Sequence, residues 1–224
     1  MAENTSASRA REVAIPADTA TLQGTLVVPP EAKGVVLFAH GSGSGRFSPR
    51  NNFVARVLQE GGFATLLLDL LTEVEAMDRR LVFDIDFLAD RLLRATAWLK
   101  QDAETSYLPI GYFGASTGAG AALQAAAHRP EDVAAIVSRG GRPDLAAHYL
   151  VHVQAPTLLI VGGHDEPVIA LNEEALALLR CPKDLVIVPG ATHLFEEPGA
   201  LEEVARLARD WFARYLPAAK RRAA

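Results

Sequence analysis

Short apolar runs separated by helical segments constrain the fold of this chain more than any other feature of its sequence. The run at residues 34–39 (GVVLFA) is continuously apolar, as expected for a strand that is buried on both faces. Comparable runs follow at residues 63–69, 110–113, 133–138, 157–161 and 185–188. Because strands that alternate with helices are joined by right-handed crossovers, the pattern predicts a parallel sheet covered by helices on both faces.

Two more strands open the chain, at residues 12–17 and 22–28, with no helix between them. They are most simply an antiparallel extension at one edge of the sheet. The predicted fold class is therefore α/β, a three-layer α/β/α sandwich, in a chain whose 224 residues suit one domain. We expect this domain at residues 12–217, between a polar N-terminal leader (1–11) and a basic C-terminal tail (218–224).

Capping residues and apolar periodicity indicate where the helices lie. Ser48 is a typical N-cap residue and Pro49 suits a first helical position, so a helix should run from there to about residue 60. Apolar periodicity predicts one long helix over about residues 80–101. The stretch at residues 139–155 shows no clear pattern and is expected to be irregular.

Composition excludes several classes of protein. Half of the residues are hydrophobic and 22% are charged, which excludes an intrinsically disordered chain, and the net charge of −5 offers no basic field for nucleic acid. No apolar run reaches the length of about 18 residues that a spanning helix needs, and residues 1–10 lack the apolar core of a signal peptide. The single cysteine, Cys181, excludes an internal disulfide. We expect a cytoplasmic protein without nucleic-acid or membrane partners.

A G-x-S-x-G motif, GASTG at residues 114–118, lies between the strand at 110–113 and the following helix. A serine on a tight strand-to-helix turn needs small neighbours, and the turn exposes its hydroxyl above the sheet. The helix N-terminus then points at developing negative charge. The motif therefore predicts that Ser116 is a nucleophile, although a turn serine beside a helix of small residues has the same pattern.

An acid and a base follow later strand ends. Asp165 comes after the strand at 157–161 and His193 after the strand at 185–188, so the chain order is Ser, Asp, His. His193 would take the Ser116 proton and return it to the leaving group, while Asp165 would fix the imidazole tautomer. Glu166 is a neighbouring carboxylate, but Asp165 is the better placed acid.

Two backbone N–H groups are candidates for an oxyanion hole. One belongs to Thr117, directly after the nucleophile, and the other to Ser42 in the glycine-rich loop at residues 40–45. His40 is expected to hold this loop rather than to act as a second base.

Arginines near the predicted site are candidates for substrate binding. Arg139 and Arg142 follow the strand at 133–138 and can fork onto a substrate carboxylate, or can instead tie down the next stretch through carbonyls and Asp144. Arg46 and Arg50 flank the glycine-rich loop and are equally ambiguous.

We expect neither a metal ion nor a cofactor. His148 and His152 have the spacing of a helical metal pair, but no third ligand accompanies them. The glycines at 41, 43 and 45, with Asp69 after the next strand, resemble a dinucleotide fingerprint. Because the third glycine comes one position early and the helix starts late, a nucleotide-binding oxidoreductase is a weaker alternative.

With these residues, the chain resembles the α/β-hydrolases and, among them, the dienelactone hydrolase family. The matching segments are FAHGSGSGRFSPRN (38–51), GYFGASTGAG (111–120), SRGGRPD (138–144), LLIVGGHDEPV (158–168) and PGATHLFEEPGAL (189–201). The resemblance implies about eight mostly parallel strands and a Ser116–Asp165–His193 triad. The namesake enzymes have a cysteine at the elbow, where this chain has Ser116. Cys181 cannot replace it, because it follows a helix and precedes the last strand, on the opposite edge of the sheet.

The expected function is that of a carboxylic ester hydrolase that acts on small esters or lactones through an acyl-enzyme on Ser116. Acyl transfer or peptide hydrolysis would use the same triad, and a non-catalytic binding module is a further alternative. Only residues 139–154 separate the strands between which larger relatives insert a cap, so we expect no large cap and an accessible site. The protein is expected to be a monomer or a homodimer.

Overall fold

One eight-stranded sheet organises the part of the chain that the computed structural model describes, residues 10–18 and 20–216. Its strands in spatial order are β1-β2-β4-β3-β5-β6-β7-β8. Their bounds are β1 Ala10–Ala17, β2 Ala20–Val27, β3 Val35–Ala39, β4 Ala64–Leu68, β5 Ile110–Ala115, β6 Ala135–Arg139, β7 Thr157–Gly162 and β8 Lys183–Val188. Residues 1–9 of the expected leader and the whole expected tail lie outside the described residues, and β1 already includes Ala10 and Arg11.

The sheet is mostly parallel, as the sequence predicts. Strands β3 to β8 pair in parallel, whereas β1 and β2 form an antiparallel extension that joins the sheet through β2 and β4. Every residue of β3 is buried, because helices cover both faces of the sheet at its centre. The carboxyl ends of β3, β5, β6, β7 and β8 consequently meet at one edge.

Helices cover the two faces in separate layers. The bounds are α1 Pro49–Glu60, α2 Arg79–Val82, α3 Ile85–Leu99, α4 Thr117–His128, α5 Glu166–Leu178 and α6 Ala200–Tyr215. Helices α1 and α6 pack into the core on one face, and α3, α4 and α5 pack into the core on the other. This is the three-layer α/β/α arrangement expected from the sequence.

The start of α1 agrees with its sequence signals. The hydroxyl of Ser48 accepts a hydrogen bond from the Asn51 N–H at 3.4 Å, and Pro49 occupies the first turn. Gly62, with a φ of +84°, follows the helix and permits the chain to turn back into β4.

The prediction of one long helix over about residues 80–101 is wrong, because the chain forms two helices there. Asp78 caps α2 by accepting from the Arg80 N–H at 2.9 Å, and Asp84 caps α3 by accepting from the Phe87 N–H at 3.0 Å. An aspartate that bonds the backbone in this way competes with helix continuation. The break at Phe83 and Asp84 turns the segment before α3 toward the carboxyl edge of the sheet.

Among the described residues, one ion pair joins the segment that contains α2, residues 72–82, to helix α3. Buried Arg91 on α3 donates from Nη2 to Glu75 Oε1 at 2.8 Å, and Glu75 Oε2 accepts from the Thr72 N–H. Val74 and Met77 of this segment point outward, with 79% and 84% of their surfaces exposed. The segment thus combines exposed apolar side chains with Leu81 and Val82, which pack against the core.

The stretch after β6 is more regular than expected. Residues Pro143–His152 form 3₁₀ turns that pack on α4 and α5. In the described part of the chain, no cap domain is inserted between β6 and β7, as the short spacing predicts. None of the helices within residues 10–18 and 20–216 has the length and apolar character to cross a membrane.

We predict that Asp84→Ala lowers the free energy of unfolding by about 1 kcal/mol, because it removes the side-chain cap of α3. Asp84→Asn should preserve most of the stability, since an amide oxygen caps about as well. Urea denaturation of both variants beside the wild type measures the difference. Equal losses in the two variants would show that the capping bond does not contribute.

Candidate active site

Ser116 lies on a strained turn between β5 and α4. Its φ of +50° and ψ of −123° are outside the regions that residues with a side chain normally adopt. Two bonds hold the turn, since the Ser116 carbonyl accepts from the N–H groups of Ala119 (3.1 Å) and Arg142 (3.0 Å). The strain is therefore maintained by the surrounding backbone, as expected of a nucleophile elbow.

Both glycines of the motif are required by close backbone approach. A Cβ atom at Gly118 would lie 2.2 Å from the Ala39 carbonyl oxygen, at the end of β3. A Cβ atom at Gly114 would lie 2.5 Å from the Cα of Ala119. Helix α4 can therefore start directly against the end of β3 only with glycine at these positions.

The loops after β7 and β8 bring the acid and the histidine together. A Cβ atom at Gly162 would lie 2.4 Å from the Ala191 carbonyl oxygen, and the same oxygen accepts from the His164 N–H at 2.9 Å. This contact sets Asp165 beside His193, with 2.6 Å between Asp165 Oδ2 and His193 Nδ1. An ionised Asp165 accepts the Nδ1 proton, so Nε2 of His193 is left as the basic nitrogen.

Gly140 connects the histidine to the elbow. It follows Arg139, whose carbonyl accepts from the Ser116 N–H at 3.4 Å. A Cβ atom at Gly140 would lie 3.5 Å from both Nδ1 and Cε1 of His193, so the imidazole lies against this glycine. The described residues show no direct hydrogen bond between Ser116 and His193, and such bonds often tighten only when substrate is present.

The loop after β3 packs directly against Ser116. A Cβ atom at Gly41 would lie 2.8 Å from the Cβ and 3.6 Å from the Oγ of Ser116. Buried His40 holds the loop, since its Nδ1–H donates to the Gly41 carbonyl and its Nε2 accepts from the Leu70 N–H, each at 2.9 Å. Because a trans peptide is planar, the Ser42 N–H must point away from that carbonyl. The two hydrogen bonds of its ring thus let His40 hold the loop in place.

Ser42 and Thr117 both line one cavity. Thr117 is the first residue of α4, and within the described chain neither N–H donates a hydrogen bond to a protein acceptor. Two free donors beside a serine hydroxyl form an arrangement that can hold the oxygen of a tetrahedral intermediate.

This cavity has a volume of about 290 Å³ and a divided lining. The loop at residues 40–44 and Thr117 form its polar side, and the apolar side consists of Leu71, Ala76, Val82 and Leu88. The apolar side was not predicted from the sequence, because one helix was expected over residues 80–101 where the chain forms α2 and α3. Asp78 and Asp84 are both good capping residues, and they could have indicated two separate helix starts.

The candidate arginines differ in their partners. Arg46 pairs with Asp69 through its guanidinium, and its backbone N–H donates to the same carboxylate at 2.6 Å. Arg142 forms a two-pronged pair with Asp144, at 2.8 and 2.7 Å, and this carboxylate raises the pKa of Arg142. Arg139 is buried, and among the described residues its guanidinium donates one hydrogen bond, to the Asn51 side-chain oxygen at 3.2 Å.

Other reactive residues lie away from the elbow. His148 and His152 belong to the 3₁₀ segment, where residues four apart do not share a face, and no group of three metal-binding side chains occurs among residues 10–18 and 20–216. Cys181 precedes β8, where burial raises the pKa of its thiol and Sγ lies 3.8 Å from Thr157 Oγ1. Neither feature places a second nucleophile or a metal ion near Ser116.

Comparison with protein-family models gives a match over residues 22–221 to the family described as "Dienelactone hydrolase family". The chain belongs to the dienelactone hydrolase family. Among solved structures, a dienelactone hydrolase from Anabaena variabilis is 59% identical, with a TM-score of 0.92 over 94% of this chain and 99% of that one. The eight-stranded α/β-hydrolase fold is thereby established.

More distant structures share the fold. Est1E from Butyrivibrio proteoclasticus is 17% identical, with a TM-score of 0.76 over 91% of this chain and 98% of that one.

A Mycobacterium tuberculosis protein named "Putative phosphoribosyl transferase" is 57% identical over 93% of this chain, which covers 47% of that protein. This chain therefore spans about half the length of the curated relatives that match most of it.

We predict that stability falls as the pH drops below about 6.5 and that His40 contributes to this fall. Burial lowers the pKa of His40, and the Gly41 carbonyl and Asp69 oppose this effect only in part. Below about pH 6.5, His40 therefore binds a proton in the unfolded chain but not in the folded protein. The stabilisation by His40 is complete above its pKa in the unfolded chain and is lost as the pH falls below that value.

Urea denaturation between pH 5 and 8 measures this effect in the wild type and in His40→Gln. The variant should show a shallower loss of stability at low pH, whereas His152→Gln, at an exposed position, should follow the wild type. Identical slopes for His40→Gln and the wild type would contradict a neutral His40 in the folded state.

Proposed function

We propose that the protein is a serine hydrolase that cleaves small carboxylic esters or lactones through an acyl-enzyme on Ser116. The observation that carries the proposal is the 2.6 Å contact between Asp165 and His193 at the sheet edge that holds the strained Ser116. Membership of the dienelactone hydrolase family supports hydrolysis in general. The serine triad and the ester class are the finer parts of the proposal.

In the first half of the reaction, His193 Nε2 takes the Ser116 proton as Oγ attacks the carbonyl carbon. The carbonyl oxygen becomes an oxyanion, and the N–H groups of Thr117 and Ser42 stabilise it. Asp165 stabilises the imidazolium through Nδ1. The tetrahedral intermediate then expels the alcohol, which leaves with the proton from His193.

In the second half, water attacks the acyl-enzyme with the same residues in the same roles. His193 takes a proton from the water, the oxyanion forms again between the two N–H groups, and Ser116 leaves with the proton. A lactone follows the same steps, except that its alcohol remains attached to the acid product.

The cavity beside the two N–H groups supports a preference for small acyl groups. Its volume of about 290 Å³ lies at the lower end of the range of about 300–1,000 Å³ for ligand pockets. Its apolar side, which includes Leu71, Val82 and Leu88, suits a short hydrocarbon chain. A carboxylic ester with a small acyl group is therefore the substrate class that we propose.

We propose no second function from the name of the mycobacterial relatives. That name belongs to proteins about twice the length of the matched region. The strained serine, the acid–histidine pair and the two free N–H donors all lie within the shared region and all favour acyl chemistry.

We predict that the wild type hydrolyses 4-nitrophenyl acetate and that Ser116→Ala lowers kcat at least about a thousandfold. Ser42→Ala should retain most of the activity, because its proposed role uses the backbone N–H and not the hydroxyl. Steady-state kinetics measures both effects, and mass spectrometry after fluorophosphonate treatment should locate the label on Ser116. Full activity of folded Ser116→Ala, or labelling elsewhere, would overturn the proposal.

A second prediction concerns acyl size. Val82→Phe should fill part of the cavity and lower kcat/KM for 4-nitrophenyl hexanoate about tenfold relative to the acetate. Val74→Phe, at an exposed position of the same segment, is the matched control and should leave that ratio unchanged. An unchanged ratio in Val82→Phe would mean that the acyl chain binds elsewhere.

A further inference from the structure

A second cavity, of about 370 Å³, adjoins the cavity that Ser42 and Thr117 line. The two cavities have three lining residues in common, Ser44, Leu71 and Ala76. Ser42 and Thr117 line the first cavity and not the second, so the second is the more distant of the two from the candidate nucleophile. Because the cavities meet at the three shared residues, an acyl chain that is too long for the first cavity can extend into the second.

The lining of the second cavity is mostly polar, in contrast to the apolar side of the first. Among the described residues that line it, Leu71 and Ala76 are the apolar ones, and both are shared with the first cavity. Uncharged and acidic side chains come from β2, from the glycine-rich loop and from the segment after β4: Thr21, Gln23, Ser44, Thr72 and Glu73. A substrate that spans both cavities therefore contacts hydrocarbon first and hydrogen-bonding groups after it.

Several of these polar side chains are available to a ligand. Gln23, Ser44 and Glu73 are exposed, and the hydrogen bonds among the described residues do not involve their side chains. Thr72 Oγ1 accepts from the Glu75 N–H at 3.3 Å, so its hydroxyl proton remains available as a donor. An amide, two hydroxyls and a carboxylate thus offer both donors and acceptors within one cavity.

The charges in the second cavity favour a neutral ligand group. Asp69 accepts from the Arg46 N–H at 2.6 Å and pairs with the Arg46 guanidinium, whose Nε also lies 3.6 Å from Glu12 Oε2. Because Arg46 already has two carboxylate partners, a third anion gains little from it. Glu73 is exposed, and an exposed carboxylate attracts a cation only weakly in water. A neutral group that forms hydrogen bonds therefore suits this lining better than an anion or an ammonium.

We propose that the second cavity binds a hydroxyl group at the far end of the acyl group, so that the enzyme favours esters of acids with a distal hydroxyl. This inference rests on the proposed function, because it names the acyl groups that the same site accepts. The hydrocarbon part contacts Leu71 and Ala76, and the hydroxyl bonds the side chains of Gln23 and Ser44. A methyl group in the same place would remove water from these side chains without replacing its hydrogen bonds.

Pairs of esters that differ in one terminal group test the proposal. The two long pairs are 4-nitrophenyl 6-hydroxyhexanoate with the heptanoate and 4-nitrophenyl 8-hydroxyoctanoate with the nonanoate, so that a methyl group replaces each hydroxyl. In at least one long pair, the wild type should favour the hydroxy ester at least about threefold in kcat/KM, as expected for one net hydrogen bond. The short pair, the 3-hydroxypropanoate and the butanoate, fits within the first cavity and should show no such preference.

Variants attribute the preference to the second cavity. Gln23→Leu and Ser44→Ala should each lower the ratio of kcat/KM for the long hydroxy ester over its methyl counterpart, and the double variant should bring this ratio to about one. Leucine suits an exposed strand position, so the fold of β2 should be kept. Gln101→Leu makes the same change at an exposed position outside both cavities and should leave the ratio unchanged. Persistence of the preference in the double variant would overturn the second cavity as its source.

A cationic ester separates hydrogen bonding from charge. Glu73→Gln keeps an acceptor and removes the negative charge, so it should preserve the preference for the hydroxyl. The wild type should not favour 4-nitrophenyl 6-aminohexanoate over the 6-hydroxyhexanoate. If it does, and if Glu73→Gln abolishes that preference, the cavity binds a cation and the proposed hydroxyl site is wrong.

A binding measurement separates this inference from the proposed function. Ser116→Ala keeps both cavities, and in calorimetric titrations it should bind methyl 6-hydroxyhexanoate at least about threefold more tightly than methyl heptanoate. Adding Gln23→Leu and Ser44→Ala to this variant should remove the difference. Hydrolysis of both esters of each long pair at equal kcat/KM would overturn the hydroxyl site and leave the proposed function intact. Absence of both hydrolysis and Ser116 labelling would overturn the proposed function, and the titrations would then decide the hydroxyl site alone.

Discussion

The contact between the start of α4 and the end of β3 is the constraint on which the candidate site depends. Because a Cβ atom at Gly118 would be only 2.2 Å from the Ala39 carbonyl oxygen, the helix and the strand meet backbone to backbone. That approach places Ser116 against Gly41, and Thr117 and Ser42 both line the cavity beside it. A side chain at position 118 would separate Ser116 from the loop after β3.

A second close approach, at Gly162, does the same for the other half of the site. The loops after β7 and β8 touch through backbone atoms, and the contact between Asp165 and His193 follows from it. Gly140 then brings the imidazole to the elbow. The loops after β3, β5, β6, β7 and β8, which are distant in sequence, thus meet through glycines at the strand ends.

Much of this arrangement could be predicted from the sequence, because parallel strands bring their carboxyl ends to one edge. Ser116, Asp165 and His193 each follow a recognisable strand, and Ser48 with Pro49 marks the start of α1. Partners that depend on side-chain geometry across the fold could not be predicted. The bonds of Arg139 to Asn51 and of Arg91 to Glu75 join positions far apart in the chain. The break before α3 was missed because apolar periodicity continues through it, while the capping bond of Asp84 stops the helix.

The separately capped segment around α2 has an evolutionary consequence. It supplies Ala76 and Val82 to the cavity, yet one buried ion pair, Arg91 with Glu75, is its main polar anchor to the domain. Exposed positions of this segment, such as Val74 and Met77, can therefore vary without changing the contacts of the sheet. Variation at Ala76 or Val82 would alter the lining of the cavity, while the backbone contacts around Ser116, Asp165 and His193 stay the same.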